Sequence, residues 1–255
     1  MSTARVTVIV PCYNEEHRFP AEFFLNFAKR ETDFNFLLVD DGSLDQTAAV
    51  LNKMNAAMPD RFRVLVIGSN VGKAEAVRRG VLEALKGSPH FVAYWDADLA
   101  TPLDMLPVFL KTMNERLEVE VVLGSRVKLL GWDIQRQPVR HYLGRVFATC
   151  ASAVLQLHVY DTQCGAKMFR VTDFIRGIWQ EPFISRWIFD VELLARYLNA
   201  RGLGTKEAEL HIYEQPLPRW VDVHGSKVKP GDFFSAFAEL VRIYFRYKVS
   251  KKKNL

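Results

Sequence analysis

The chain has 255 residues, 49% hydrophobic and 25% charged, as expected of one sizeable globular domain with a small appendage. Its three cysteines, Cys12, Cys150 and Cys164, are widely spaced and odd in number, which excludes a disulfide framework or a zinc site and fits reduced cytosolic thiols. The net charge is +5, yet six of the 34 basic residues fall between Arg242 and Leu255 with no acid among them, so the remainder is nearly neutral. That argues against a broad nucleic-acid-binding face and for an anionic partner met by the C-terminus alone.

Met1 to Arg5 leads straight into a predicted strand, with no leader expected. No apolar run reaches the ~18–20 residues that span a bilayer. The expected location is cytoplasmic. In chain order, apolar β-branched runs and helical patterns alternate. A strand at 6–10 precedes a helix at 22–29, and a strand at 34–39 precedes a helix at 44–58. A strand at 62–67 precedes a helix at 73–85, and a strand at 91–95 precedes a helix at 103–116. A strand at 119–123 follows. Thr101 before Pro102 reads as a helix start, a capping side chain ahead of proline at the first helical position. This alternation predicts an α/β fold, a mostly parallel sheet with helices on both faces. Further on, 138–157 and 187–198 read as helices and 206–214 as a strand. Residues 214–231 carry three prolines and His224-Gly225-Ser226-Lys227, a long loop of the kind found in functional lids.

Ligands on such sheets bind beyond the carboxyl ends of the strands. Polar sequence gathers there four times: Pro11-Cys12-Tyr13-Asn14-Glu15, Asp40-Asp41-Gly42-Ser43, Gly68-Ser69-Asn70 and Asp96-Ala97-Asp98. Asp96 and Asp98 end an apolar strand and share one face of it. Two carboxylates so close favour a divalent cation between them, and hard oxygen ligands suit Mg2+ or Mn2+ carrying a diphosphate. Taken alone, Asp-x-Asp is also an ordinary strand-end turn. Gly68 to Ala74 superficially suggests a phosphate loop, but it is one residue short between its glycines and has Ala74 where a magnesium-holding hydroxyl would stand. Lys73 could approach a ligand or sit solvated on the first turn of its helix. One acid of Asp40-Asp41 suits a helix-capping turn, and the other could accept a hydrogen bond from a base such as uracil.

The ordered set Pro11-Cys-Tyr13-Asn14-Glu15, Asp40-Asp41-Gly42-Ser43, Asn70-x-Gly72-Lys73, Asp96-Ala-Asp98 and Gly124-Ser125-Arg126 resembles glycosyltransferase family 2, with its GT-A nucleotide-sugar fold. Three downstream segments resemble the dolichyl-phosphate β-glucosyltransferases and related polyprenyl-phosphate glycosyl synthases: 161–169, Arg186-Trp187-x-Phe189-Asp190-Val191-Glu192, and Gly225-Ser226-Lys227. The resemblance spans residues 5–230. It implies a GT-A domain over 1–231 and an amphipathic basic tail over 232–255. By resemblance, Pro11, Tyr13, Glu15, Val39 and Asp41 line the nucleotide pocket, with Lys73 near the donor. Asp96 and Ala97 face the sugar and ribose, Asp98 is the main metal ligand, Arg126 contacts phosphate, and Ser226 and Lys227 close over the diphosphate. Asp-x-Asp is followed here by Leu99-Ala100-Thr101, where family members often have Gly or Leu-Gln.

The expected reaction is inverting, metal-dependent transfer of a hexose, glucose first, from a UDP-sugar to a polyprenyl phosphate. A lipid phosphate is already anionic and needs cations rather than a base. The stretch Arg126, Lys128, Arg136, Arg140, His141, Arg145 would supply them. A sugar-hydroxyl acceptor would need a general base. Asp190 is the first candidate for it, beside an apolar stripe of positions 187, 191, 194, 195 and 198, with Glu192 expected at the surface; Asp161 is the second. On 232–248, Phe233, Phe234, Phe237, Leu240, Val241, Tyr244 and Phe245 form one face, and Ser235, Glu239, Arg242 and Arg246 the other. Such a helix suits peripheral contact with an anionic cytoplasmic leaflet. The competing expectation is a helix docked on the core, which would bury the phenylalanines.

Overall fold

A computed structural model of the chain describes residues 5–128, 130–135, 138–202, 205–221 and 232–247. In chain order the elements are β1 (Val6–Cys12), α1 (Ala21–Arg30), β2 (Phe34–Asp40), α2 (Thr47–Ala57), β3 (Phe62–Val66), α3 (Lys73–Leu85), β4 (Phe91–Trp95), α4 (Met105–Glu115) and β5 (Val121–Ser125). There follow β6 (Asp133–Gln135), α5 (Pro138–Leu155), β7 (Ala166–Arg170), α6 (Asp173–Ile178), α7 (Phe189–Arg201), α8 (Thr205–His211), β8 (Ile212–Pro216), β9 (Arg219–Val221) and α9 (Asp232–Tyr247).

Seven strands form one sheet in the order β3-β2-β1-β4-β7-β5-β8, and β6 pairs with β9 in a small second sheet. All the pairings are parallel except those of β7, which runs antiparallel to both β4 and β5. The strand alternation explains the two cores, because successive side chains leave opposite faces. Ile9, Leu37, Val92, Tyr94 and Phe169 pack beneath α3, α5, α7 and α9. Val8, Val10, Phe36, Trp95 and Met168 pack beneath α1, α2 and α4. Helix α3 lies so close to β1 and β2 that a Cβ at Gly80 would stand 2.6 Å from Ile9 Cγ2 and 2.9 Å from Val39 Cγ2.

Several local expectations give way to tertiary context. Helix α4 begins at Met105 rather than at Thr101-Pro102. Thr101 is buried, its carbonyl accepts from Trp95 Nε1 at 2.9 Å and its hydroxyl lies 3.8 Å from Cys164 Sγ, so it is committed to the core and not to a cap. Residues 206–211, expected as strand, are helical: Glu207 to Leu210 alternate polar and apolar as a strand would, but Lys206-Glu207-Ala208-Glu209-Leu210 are all good helix formers and that propensity prevails. The strand proper begins at Ile212. Helix α7 has no single apolar stripe, since every residue from Phe189 to Leu198 is buried. Glu192, expected at the surface, is 0% exposed, whereas Trp187, expected in the stripe, is 44% exposed and precedes the helix. Glu192 is stabilised there by Ile184 N–H, Ser185 N–H, Arg196 and the Tyr247 hydroxyl.

Helix α9 packs on α5 and α7 through Ala236, Leu240 and Ile243. Glu239, expected on the outer face, turns inward and accepts from Ser185 Oγ at 2.5 Å. Docking nevertheless leaves Phe237, Val241, Tyr244 and Phe245 exposed, so of the phenylalanines that a docked helix was expected to bury, Phe237 and Phe245 are not buried; the side chains of Phe233 and Phe234 lie outside the described residues.

Candidate functional site

The four polar strand ends meet at one edge of the sheet. After β1, Asn14 takes a left-handed backbone (φ 50°), and its N–H donates to Ser43 Oγ at 3.0 Å. Glu15 N–H donates to Thr47 Oγ1 at 2.7 Å, so the β1 loop is clasped to the β2 loop. The Glu15 carboxylate is buried and paired with Arg18. Pro11 and Tyr13 are half-buried beside it, and Val39 is fully buried under Gly80 of α3.

The paired acids after β2 divide their roles. Asp40 caps its turn, accepting from Ser43 N–H at 3.1 Å. Asp41 accepts from Val71 N–H at 2.8 Å, Gly72 N–H at 2.9 Å and Asn70 Nδ2 at 3.1 Å. Burial raises the Asp41 carboxyl, and the loop amides oppose that rise. The same loop adjoins a cavity of about 360 Å3 whose lining includes Asn70, Gly72, Phe183, Ser185 and Arg186.

At the end of β4, Asp96 and Asp98 are both half-buried, and Ala97 between them is buried. Lys73, the first residue of α3, places its Nζ 2.5 Å from Asp96 Oδ1. Asp96 Oδ2 is walled by the backbone: a Cβ at Gly165 would lie 1.8 Å from it, and only glycine leaves that space. Asp98 accepts from Ala100 N–H at 3.1 Å, and burial first, then the neighbouring Asp96, pushes its carboxyl up. Leu99 turns the loop with φ 53°, a conformation uncommon for a bulky residue and often found at sites under functional constraint. Among the described residues no three His, Cys, Asp or Glu side chains form a ready metal cage. Two carboxylates one residue apart, with the charged form of Asp98 opposed by burial and by Asp96, do fit a hard divalent cation that completes its shell with substrate oxygens.

Behind this loop lies a buried ion pair, Lys167 with Asp190, joined by the Tyr94 hydroxyl. Lys167 of β7 is 0% exposed, and its Nζ donates to Asp190 Oδ1 and to the Cys164 carbonyl, each at 2.6 Å. The Tyr94 hydroxyl donates to the same Asp190 oxygen, and burial followed by Asp190 holds the Tyr94 phenol well above its usual range. Asp190 is thus brought to the site, but inside the protein and engaged by an ammonium.

Arg126, after β5, is locked to Asp161 by two bonds, Nε to Oδ2 at 2.6 Å and Nη2 to Oδ1 at 2.7 Å. Its guanidinium lies over the Trp220 ring. Burial works against its charge, and Asp161 more than offsets that. Glu214 fixes the segment by accepting from Tyr160 and Asp161 N–H, each at 2.8 Å. Arg145 donates to the Tyr160 carbonyl at 3.1 Å, so Arg126 and Arg145 flank one segment. Lys128 is exposed. Arg136, Ser226 and Lys227 lie outside the described residues, as do the side chains of Arg140 and His141 and the tail beyond residue 247. Val221, the last described residue before Ser226, hydrogen bonds the Ala100 carbonyl beside Asp98.

Sequence reasoning assigned no role to Tyr94, Lys167 or Arg186. A lysine between Ala166 and Met168 in an apolar run was the available signal for Lys167, because a buried ammonium demands a partner.

The comparisons agree with this geometry. The family model described as Glycosyl transferase family 2 matches residues 7–177. A dolichyl-phosphate beta-glucosyltransferase of Dictyostelium discoideum is 32% identical over 256 residues, covering 95% of this chain and 74% of that protein. The human protein of the same name is 31% identical, covering 89% and 71%. Among solved structures, glucosyl-3-phosphoglycerate synthase from Mycobacterium tuberculosis in complex with UDP superposes with a TM-score of 0.65 at 17% identity, covering 98% of this chain and 82% of that one. Its complex with Mn2+, UDP-glucose and phosphoglyceric acid gives 0.66 at 16% identity, with the same coverage. The fold is the GT-A fold, and the chain is a glycosyltransferase that belongs to family 2.

Proposed function

We propose that this enzyme transfers a hexose, glucose first, from a UDP-sugar to a polyprenyl phosphate, with inversion at C1. The observation that carries the choice of acceptor is the engagement of both candidate bases. Asp190 is spent on Lys167 and Tyr94, and Asp161 on Arg126. A hydroxyl acceptor needs a carboxylate ready to take its proton. A phosphate monoester, with its second pKa near 6, attacks as an anion and needs none. The names of the relatives, which cover most of the chain, support the same acceptor.

In this reading an acceptor phosphate oxygen forms its bond to C1 on the face opposite UDP, and the C1–O bond to the diphosphate breaks with its electron pair staying on phosphate. Pro11, Tyr13, Glu15, Asp41 and Ala97 surround the nucleoside side, while the Val39 side chain, expected there too, lies in the core beneath Gly80. Asp98, with Asp96, would hold a divalent cation, Mg2+ or Mn2+, whose chemistry is to neutralise the charge that develops on the leaving diphosphate. Structures of the M. tuberculosis enzyme with Mn2+ or Mg2+ and UDP support the use of a divalent cation. Lys73 adds a cation on the donor side, and Ser226 and Lys227 would close over the diphosphate. Arg126, held ionised and oriented by Asp161, faces phosphate, with Arg145 beside it. Fixing both reactants in line supplies the remaining acceleration.

The same reading places the enzyme on an anionic membrane surface, at the cytoplasmic face. Among the described residues no helix is long and apolar enough to cross a membrane. Instead Phe237, Val241, Tyr244 and Phe245 of α9 lie exposed on the helix that packs against α5, and α5 exposes Tyr142, Leu143 and Val146. Arg242 and Arg246 accompany them. Aromatic and aliphatic groups bordered by cations suit an interfacial contact. The test is radiolabelled UDP-glucose incubated with polyprenyl phosphate and Mn2+, then extracted. Label in the organic phase is expected, and label confined to the aqueous phase refutes the assignment.

A further inference from the structure

We infer that Lys73 is a built-in counter-ion of the Asp96–Asp98 pair, one that a divalent cation must displace and that the donor diphosphate draws away. The inference rests on the metal reading above and adds an order of events to it. Asp96 has two oxygens. Oδ2 is pressed against the Gly165 backbone, where not even a Cβ would fit. Oδ1 is held by Lys73 Nζ at 2.5 Å. The ammonium also feels Asp98 and Asp190. Lys167, on the buried side, already neutralises Asp190, so the net negative charge left for Lys73 belongs to the Asp-x-Asp pair.

A metal approaching the pair therefore meets a resident cation on Asp96 Oδ1. Like charges repel, and Asp96 cannot serve both ammonium and metal. Lys73 is able to move. Its side chain is 43% exposed, on a four-carbon stem, at the first position of α3. A diphosphate arriving at that helix start offers the ammonium a better-matched anion, helped by the amides and dipole of the helix. Release of Asp96 and arrival of the nucleotide are then one event. Metal alone should bind weakly and nucleotide should make it bind well, beyond the direct bridging of metal by phosphate. By linkage the metal strengthens nucleotide binding by the same factor.

The experiment titrates Mn2+ into the full-length protein, followed by electron paramagnetic resonance of free Mn2+, with and without UDP. Lys73→Gln is expected to bind Mn2+ alone at least tenfold more tightly than wild type, and to lose at least tenfold of the enhancement that UDP gives. Lys73→Arg, which keeps the charge and the reach, should follow wild type. Arg186→Gln, which removes a cation lying against Gly72 instead of Asp96, should stay within twofold of wild type for Mn2+ alone. Lys73→Gln binding Mn2+ no tighter than wild type, while wild type still takes up Mn2+ with UDP, overturns this inference and leaves the metal reading standing. Equal tightening in Arg186→Gln also overturns it, by showing a general charge effect. No Mn2+ uptake by wild type even with UDP overturns the metal reading and this inference together.

Discussion

Asp190→Asn separates a positioning role from a proton-accepting one. Lys167 is 0% exposed and its ammonium is bonded to one carboxylate, Asp190, and one carbonyl, that of Cys164. The asparagine keeps the size and an oxygen acceptor but leaves the buried charge uncompensated, which costs about 3–5 kcal/mol. At about 2–4 °C per kcal/mol for a domain of this size, the melting temperature should fall by about 6–20 °C. Adding Lys167→Met removes the stranded charge, and the double variant should recover at least half of that loss, because a buried ion pair replaced by apolar groups is often neutral or better. Circular dichroism melts of wild type, both singles and the double variant close the cycle. In transfer assays run below the lowest melting temperature, the double variant should also regain activity lost by Asp190→Asn. Full stability of Asp190→Asn would refute the energetic reasoning. A stable double variant with transfer still down by the 10²–10⁴ expected of a missing general base would refute the positioning role.

Gly165→Ala should weaken Mn2+ binding in the presence of UDP by at least tenfold, since its Cβ would collide with Asp96 Oδ2 at 1.8 Å; unchanged binding in a titration would show that Asp96 does not need that wall. The Cys164 thiol is pushed by burial from 9 up to about 11, so between those values the unfolded chain ionises it and the folded chain does not. Its contribution to stability is complete below pH 9 and is lost as pH rises toward 11, at about 1.4 kcal/mol per unit. Urea melts of Cys164→Ala should accordingly fall less steeply over that window than those of wild type. At pH 8, iodoacetamide read by mass spectrometry should label half-buried Cys150 long before buried Cys12 or Cys164. Val241→Glu with Phe245→Glu should lower binding to anionic vesicles at least tenfold with the melting temperature unchanged within about 2 °C, as both side chains are exposed. Equal vesicle binding would reject the interfacial face. Deleting the whole tail would be a poorer test, because Leu240 and Ile243 are part of the core.

What was legible in the sequence was what local pattern dictates. Helix α3 and strand β4 fall at the expected 73–85 and 91–95, because their apolar spacing and their turn residues agree. The meeting of four polar strand ends followed from strand–helix alternation alone. Strand β7 escaped because Lys167 and Arg170 break its apolar run, and only its central place between β4 and β5 makes it a strand. The burial of Glu192 escaped for a related reason. Helical periodicity assumes a solvent face, and α7 has none, since α6 and α9 pack against it as well as the sheet-side core. Pairings between distant segments, Arg126 with Asp161 and Asp190 with Lys167, carry no sequence period at all. They changed the reading of both candidate bases. The mixed face of α9 was half legible: its amphipathicity is real, but the docked stripe is Ala236, Leu240 and Ile243, one step round from the aromatic one.

The central claim is that the acceptor is a phosphate that needs no deprotonation. The most direct measurement offers the enzyme, with UDP-glucose and Mn2+, a polyprenyl phosphate and the corresponding polyprenol side by side. Transfer to the phosphate alone is the predicted result. Comparable transfer to the alcohol would contradict it.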